Sequence, residues 1–375
     1  MSHNHSYWES EHYFENVDLT IVGAGIVGLN AGIRSLELNP DQKILILERS
    51  SIPSGASTRN AGFACFGSPT ELLEDLKTFE QKQVFELFAL RYRGIKALLN
   101  RLDNRNIDYQ NHGGSELLKN KDDVSQEQIN FLNNQIEQYT GLKDYYQFNS
   151  TLLNQSKLKG FDALIHNDYE ACINPMKMID ALLQIYLNLG GKILYSSEVI
   201  DWVEAEKHVE IKLQNKFIFN SKQILFAVNG FAERLFPNLD IRAARNQVLL
   251  IKPKEELTLK GCYHYNRGYI YFRSVGGNLL IGGARNVDID SEYSDQMDKN
   301  EKITTHLLQF VEEHIIQNQK FEVLHHWVGI LGLGSERVPI IKKMSERIGV
   351  SVRLSGVGIA IGTLIGNNAA EMMNN

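Results

Sequence analysis

The first strongly apolar run of the chain, Leu19-Thr-Ile-Val22, passes directly into Gly23-Ala-Gly25-Ile-Val-Gly28 and then into apolar residues at helical spacing. A short strand feeding a helix through glycines opens a βα unit. The next apolar run, Ile44-Leu-Ile-Leu47, predicts a second strand that ends on Glu48. Residues 71–102 carry Leu72, Leu76 and Phe79, then Val84, Leu87 and Leu90, a spacing that predicts amphipathic helix. A polar, Asn/Gln-rich region follows and ends near Asp168. Asn174-Pro175 predicts a helix start, because Asn caps and proline is tolerated in the first turn, and Gly190-Gly191 predicts its end. Strands are expected at 192–195, around 209–213 and at 223–228. Residues 245–285 read as short alternating strands with turns at Asn266-Arg267-Gly268 and Gly276-Gly277, the pattern of an antiparallel sheet. The chain has no Pro/Gly/Ser linker, internal repeat or low-complexity tract, so any second domain must be interwoven with the first. The expected fold class is α/β cofactor layers with an inserted α+β substrate domain.

The glycine spacing G-x-G-x-x-G in a strand-to-helix context is what a dinucleotide fold requires. Gly23 allows the tight turn, Gly25 lets backbone approach a pyrophosphate, and Gly28 lets helix and strand pack closely. The helix N-terminus offers N–H groups to the phosphates. Glu48 stands about 20 residues past Gly28, where a carboxylate accepts hydrogen bonds from ribose hydroxyls. It predicts adenosine with a free 2'-hydroxyl.

Composition narrows the partners. With 39 basic against 45 acidic residues, the net charge of −6 gives no footprint for nucleic acid or an anionic membrane. Cys65, Cys172 and Cys262 are odd in number and far apart in sequence, which suits a reducing cytoplasm and gives neither a disulfide framework nor zinc spacing; no metal is expected. The first sixteen residues lack the basic start and apolar run of a signal peptide. The longest uncharged stretch, between Arg353 and Glu371, contains Ser, Thr, Asn and several glycines and reads as a buried helix, not a membrane span.

Two further segments carry candidate chemistry. Gly55-Ala-Ser-Thr-Arg59-Asn60-Ala-Gly62 lies just beyond the ribose acid, and its small residues would let a loop pass close to a ligand. Ser57 and Arg59 could add donors to a phosphate; a plain Ser/Thr/Gly loop is the alternative. Near the C-terminus, Leu354-Ser-Gly356-Val-Gly358-Ile-Ala-Ile-Gly362-Thr-Leu-Ile-Gly366 turns into a helix whose first residues lack bulk. Its end presents N–H groups and a positive dipole to an electron-rich group. Gly356 and Gly358 suit ligand approach, and Gly362 and Gly366 suit tight packing.

Taken in order along the chain, these segments resemble the D-amino-acid-oxidase-like group of FAD-dependent oxidoreductases, which includes glycine, sarcosine and gamma-glutamylputrescine oxidases. The likeness extends through Ser6-Tyr-Trp-Glu9, Ile173-Asn-Pro175, Phe226-Ala-Val-Asn229-Gly230-Phe231, Leu279-Leu-Ile-Gly282-Gly283, and Trp327-Val-Gly329 with Pro339. The gamma-glutamylputrescine oxidase branch looks nearest, given the aromatic N-terminal arm, the Gly-Ala-Ser-x-Arg-Asn loop and Arg337 ahead of Pro339. The resemblance implies a Rossmann-like FAD-binding domain of the glutathione-reductase type, residues 1–85, 165–235 and 325–375, interwoven with an α+β antiparallel-sheet substrate domain, residues 86–164 and 236–324. It implies FAD lying between the two domains and accepting a hydride at flavin N5 from the carbon beside an amine. The imine then hydrolyses, and electrons pass to oxygen or another acceptor. Gly23, Gly25, Ile26, Val27 and Gly28 would hold the pyrophosphate, and Glu48 with Arg49 the adenosine. Ser57, Arg59, Asn60, Ala61 and Gly62 would lie along pyrophosphate and flavin. Gly356, Val357, Gly358, Ile359 and Ala360 would meet the flavin N1/O2 edge, with Val199, Asn229, Gly230 and Gly329 completing the contacts. No cysteine follows Cys262 and the loop carries Arg59-Asn60 where some relatives attach flavin through histidine, so non-covalent FAD is expected.

Two departures from the group bear on substrate. Leu331 stands where amino-acid oxidases carry an arginine that clamps the substrate carboxylate, which forfeits charge-assisted hydrogen bonds of about 1.5–3 kcal/mol each. Val357 replaces a histidine common in the nearest branch. Pocket candidates are Tyr263 and Tyr265 on one strand and Tyr269, Tyr271 and Arg273 on the next, each set sharing one face. Facing the flavin, they would form an aromatic wall, with Arg273 or Arg267 for a distal anion; an ordinary tyrosine-rich sheet is the alternative. His264 is expected to point away, one of His325 and His326 to face inward in a structural role, and Cys65 to be a small buried residue near the site. The expected activity is oxidation of a C–N bond of an amine or N-substituted amino acid. A 2-hydroxy acid substrate on the same flavin scaffold, and a nicotinamide dehydrogenase or non-catalytic nucleotide-binding subunit, are the competing expectations.

Overall fold

The computed structural model describes residues 5–102, 107–257, 259–317 and 319–375. Two sheets organise them. At the centre of the first, β1 (Val17–Val22) pairs in parallel with β2 (Ile44–Leu47) on one side and β11 (Ile218–Phe226) on the other. β8 (Lys192–Leu194) extends it past β2, and β18 (Ile348–Val352) and then β17 (Ile340–Lys343) extend it past β11. A meander of β9 (Val199–Glu204) and β10 (Val209–Leu213) branches from β11. The strand period of two divides β1 and β2 between two cores. Leu19, Ile21, Ile44 and Ile46 pack beneath helices, and Val22, Leu45 and Leu47 pack beneath the meander.

The second sheet runs β16 (Phe321–Leu333), β12 (Arg242–Pro253), β15 (Asn278–Gly283), β14 (Ile270–Val275), β13 (Cys262–Tyr265), β4 (Gly114–Leu118), β6 (Ala163–Asn167) and β5 (Gln147–Phe148). All its neighbours are antiparallel except β13 and β4. A two-strand ribbon of β3 (Phe63–Ala64) and β7 (Ala171–Cys172) stands apart from both sheets. The α/β fold expected from the sequence is the one observed, with two local differences. The helical stretch at 71–102 is two helices, Pro69–Thr78 and Gln81–Arg101, because Phe79 and Glu80 are extended. The polar region before Asp168 holds β4, β5, β6 and the helix Gln126–Thr140, whose capping box is Ser125 with Gln128.

Helix Ile26–Leu38 is buried along most of its length, since it lies between the first sheet and the C-terminal helix Gly358–Asn374. The two helices touch through glycine. A Cβ on Gly362 would sit 2.6 Å from the Ile26 side chain, and one on Gly366 would sit 2.6 Å from both the Asn30 Cβ and the Val27 carbonyl oxygen. Helix Gln81–Arg101 closes on the same bundle, with Gly94 facing the Ala360 carbonyl so closely that a Cβ would overlap it at 2.0 Å. Gly366→Ala should therefore destabilise the protein by about 1–3 kcal/mol, the usual cost of overpacking. Urea unfolding reads this, and an unchanged midpoint would show that the helices separate without penalty.

Candidate functional site

A cavity of about 680 Å³ opens between the first sheet's glycine turn, the loop 54–61, the N-terminus of the last helix and one face of the second sheet. Its first wall is dictated by backbone. Gly23 has φ +108° and donates its N–H to the Leu47 carbonyl at 2.8 Å. A Cβ on Gly28 would lie 1.9 Å from the Gly23 carbonyl oxygen, so that position supports helix–strand packing and does not itself line the cavity. Gly25, Ile26 and Val27 do line it. The Ser57 hydroxyl accepts from the Ile26 N–H at 3.0 Å, which ties loop to turn. Glu48 is buried, accepting from the Ala24 N–H at 3.1 Å and the Ser50 N–H at 3.0 Å. Each carboxylate oxygen keeps a further lone pair for a hydroxyl. Arg49, beside it, lies over the Phe231 ring at 3.8 Å, and Val199 also lines this end.

The loop is held by its own side chains. Arg59 donates from Nε to the Ser54 carbonyl at 2.8 Å and from Nη1 to the Val328 carbonyl at 3.0 Å. Its guanidinium thus fixes the loop against β16, where the sequence suggested a phosphate donor. Asn60 bonds the Ala56 and Ser57 carbonyls and the Gly62 N–H. Ala61 reaches the cavity, whereas Gly62, at φ +77°, is set against the Ile173 carbonyl behind it. Gly329 lines the cavity with its α-carbon facing Arg59. Across from the loop, Ser355 and Gly356 both have positive φ and lead through Val357 into Gly358 and Ile359, all at the cavity surface. Ala360 is buried in the bundle, and Gly230 is packed against the Leu331 carbonyl. The side-chain oxygens of Asn229, Ser351 and Ser355 are buried without partners, and all three residues line the cavity. Orphaned polar atoms, a turn at Gly23 that leaves no room for a Cβ and a buried acid at the end of β2 fit a dinucleotide such as FAD.

The opposite wall is the second sheet. Tyr269, Tyr271, Asn246 and Leu331 line the cavity there, and Gly282 and Gly329 keep the face low. Two tyrosines do not join them. Tyr263 stacks on Phe272 at 5.1 Å in the core beneath the sheet, and Tyr265 stacks on Phe310 at 5.3 Å. The reason is register: Tyr263 is opposite Phe272 and His264 is opposite Tyr271, so the two tyrosine sets face opposite sides. His264, expected to point away, is the β13 residue that reaches the cavity. Arg273 shares the Tyr271 face, but its Nη2 donates to the Ile173 carbonyl at 3.0 Å and it stays behind the wall. His326 faces inward and bonds Gln247 at 2.9 Å, a structural contact.

Charged groups gather at the end of the cavity near Cys65. Glu71 pairs with Arg91 at 3.2 Å and Arg337 at 2.8 Å. Burial pushes the Glu71 carboxyl up, but the two guanidinium groups outweigh it and hold it below the ordinary value. Arg337 also reaches Asp75 at 2.8 Å. His264 stands 3.6 Å from Glu170 and meets the Phe63 ring edge-on. Burial pulls this imidazole down, yet Glu170, Glu116 and Glu71 together raise it above its usual value. Burial pushes the Cys65 thiol well up, so it is not poised as a nucleophile. Cys172 and Cys262, far apart in sequence, bring their sulfurs to 3.1 Å behind the wall. No spacing signal announces that contact, because it depends on where β7 and β13 come to rest.

Comparison with known proteins places the geometry in context. Residues 18–372 match the family described as FAD dependent oxidoreductase. A curated relative, "Probable oxidoreductase OrdL" of Haemophilus influenzae, is 22% identical over 95% of this chain and 83% of its own length. Among solved structures, L-proline dehydrogenase from P. horikoshii aligns with TM-score 0.76 at 14% identity, covering 96% of this chain and 93% of that one. Glycine oxidase from Bacillus cereus aligns with TM-score 0.75 at 17% identity, covering 96% and 95%.

Burial pushes the Asp75 carboxyl up to about 6, with Arg337 only partly opposing it. An unfolded aspartate titrates near 3.9, so between roughly pH 4 and 6 the folded protein holds a proton that the unfolded chain has released. The stability contributed by this group is full below about pH 4 and is lost as pH rises through 6. Asp75→Asn should remove that slope. Urea midpoints of the wild type should fall relative to the variant between pH 4 and 6.5, and parallel curves would contradict the assignment.

Proposed function

Because the chain belongs to the FAD dependent oxidoreductase family, we propose that it oxidises the C–N bond of an amine or N-substituted amino acid at FAD held non-covalently along this cavity. The observation that carries the reading is the convergence on one cavity of the Gly23–Gly25 turn, Glu48, the last helix's N-terminus and the Tyr269–Tyr271 wall. The first three suit a dinucleotide and the fourth leaves a separate surface for substrate. Glycine oxidase and L-proline dehydrogenase, two proteins of similar fold, are named for amino-acid substrates, which favours nitrogen over oxygen beside the reacting carbon.

When bound, FAD supplies a two-electron acceptor at N5. The chain's own residues supply the rest. Glu48 would orient the adenosine ribose, and the Gly25 and Val27 backbone would donate N–H groups to the pyrophosphate, the Ile26 N–H being taken by Ser57. The free N–H groups and dipole at Gly358 and Ile359 favour electron density at the cofactor edge beside them. Leu331 excludes water from the substrate side without offering a charge. Burial raises the Tyr271 phenol far above its ordinary value, so the hydroxyl stays a hydrogen-bond donor over the whole working range of pH. Tyr271 and Asn246 thus offer neutral donors and acceptors to an amine beside the cofactor, and hydride transfer from a neutral amine needs no protein base.

Two measurements test this. Glu48→Gln should weaken FAD binding roughly 10- to 150-fold, the equivalent of about 1.5–3 kcal/mol for one charged hydrogen bond. Fluorescence titration of apoprotein with FAD reads it, and equal affinity would remove Glu48 from the ribose site. Anaerobic mixing of the FAD-loaded protein with panels of amines, N-methyl amino acids and 2-hydroxy acids should bleach the flavin absorbance with the first two. Bleaching only by hydroxy acids would replace C–N by C–O oxidation.

A further inference from the structure

We propose that Arg285 forms the anion-binding subsite of the substrate pocket, so that the amine oxidised here carries a carboxylate. The inference rests on reading the cavity as the site of cofactor and substrate.

Arg285 lies on the cavity surface beside Tyr269, Tyr271 and Asn246. Its place is set by the end of β15. Ala284 adopts φ +57°, uncommon for a residue other than glycine, and its N–H is held by the Tyr269 carbonyl at 2.5 Å. That turn carries the chain off the sheet and delivers Arg285 at the rim of the face bearing Tyr271. Once there, the guanidinium is uncompensated. Nη1 is shut off from water without a hydrogen-bond partner, and among the described residues no carboxylate lies within ion-pair distance of Arg285. A charged donor left unpaired away from water costs more than a neutral one.

The surroundings increase the positive field. Arg242, equally without an acidic partner among the described residues, lies 3.8 Å above the Tyr293 ring, and Arg285 lies 5.8 Å from the same ring. Nearby acids are committed elsewhere. Glu292 pairs with Arg245 at 3.0 Å, Asp295 pairs with Arg234, and Glu233 accepts from the Ala243 N–H at 2.8 Å. The unpaired Arg285 guanidinium on the cavity surface is a receptor for an anion, and Arg242, exposed outside the cavity lining, adds positive charge on the ring they share.

Neutral groups on the same wall fit the remainder of such a substrate. Asn246 donates to the Tyr271 hydroxyl at 3.1 Å, which leaves that hydroxyl's proton to point elsewhere. The Asn246 side-chain oxygen is buried and has no partner. The wall therefore offers a cation and a hydroxyl proton to a carboxylate, and an acceptor to an amine N–H. Leu331 lines the same cavity and supplies none of these.

The test uses FAD-loaded protein and two probes of equal shape, benzoate and benzamide, titrated by calorimetry and by the flavin spectrum. Wild type should bind benzoate; Arg285→Gln should bind it at least tenfold more weakly, Arg285→Lys should restore part of the loss, and benzamide and FAD affinities should be the same in all three. The proposal is overturned if Arg285→Gln binds benzoate like wild type, or if wild type binds no carboxylate. It is also overturned if the variant loses FAD and keeps benzoate, since the guanidinium would then serve the cofactor's phosphates. Wild-type protein that takes up no FAD would refute the flavin reading, and the calorimetric benzoate titration would still decide the role of Arg285.

Discussion

The constraint on which everything else depends is the closeness of three helices at positions where no side chain fits. Gly362 and Gly366 let the last helix lie directly on the helix that follows the first strand, and Gly94 lets a third helix meet the backbone at Ala360. Interiors pack at crystal-like density, so separations this short are met by omitting atoms, not by compression. Only because the helices touch do Gly25 and Gly358 both arrive at the surface of one cavity. The cavity is in this sense a by-product of packing some distance from it.

The two ends of the cavity solve different electrostatic problems. Near Cys65, acids and cations sit close together: Glu71 between Arg91 and Arg337, His264 among Glu170, Glu116 and Glu71. These groups satisfy one another, as buried charges must. Near Tyr293 the acids have been drawn off onto Arg245, Arg234 and a backbone N–H, and the guanidinium groups of Arg285 and Arg242 are left without an acidic partner among the described residues. An interior in which one end is neutralised and the other is not gives an asymmetric field along the cavity, which suits orienting a molecule with one charged end.

Much of the cavity wall on the first sheet was legible in the sequence because its signals are local. The strand, glycine turn, helix and Glu48 lie within residues 18–48, and Asn174-Pro175 places a helix start where the structure has one. The wall on the second sheet was less legible because its outcome rests on register. Whether Tyr263 or His264 faces the cavity depends on the parity of the connection at Asn266-Arg267-Gly268, and both readings have the same alternation. Arg59 looked available to a phosphate, but two carbonyls, one of them on a strand almost 270 residues later, claim its guanidinium. The proximity of Cys172 and Cys262 and the isolation of Arg285 are likewise products of long-range assembly, which no local pattern encodes.

β4 lies next to β13 in parallel, although the chain crosses into the other sheet and back between them, and β1 gains β11 only some 200 residues after it is made. Neither sheet can be completed from a contiguous stretch, so neither half is an autonomous unit that could be excised, grafted or expressed alone. During synthesis the nascent polypeptide must carry unfinished edges of both sheets until the closing helix leaves the ribosome. A chain built this way is exposed to premature association for most of its translation.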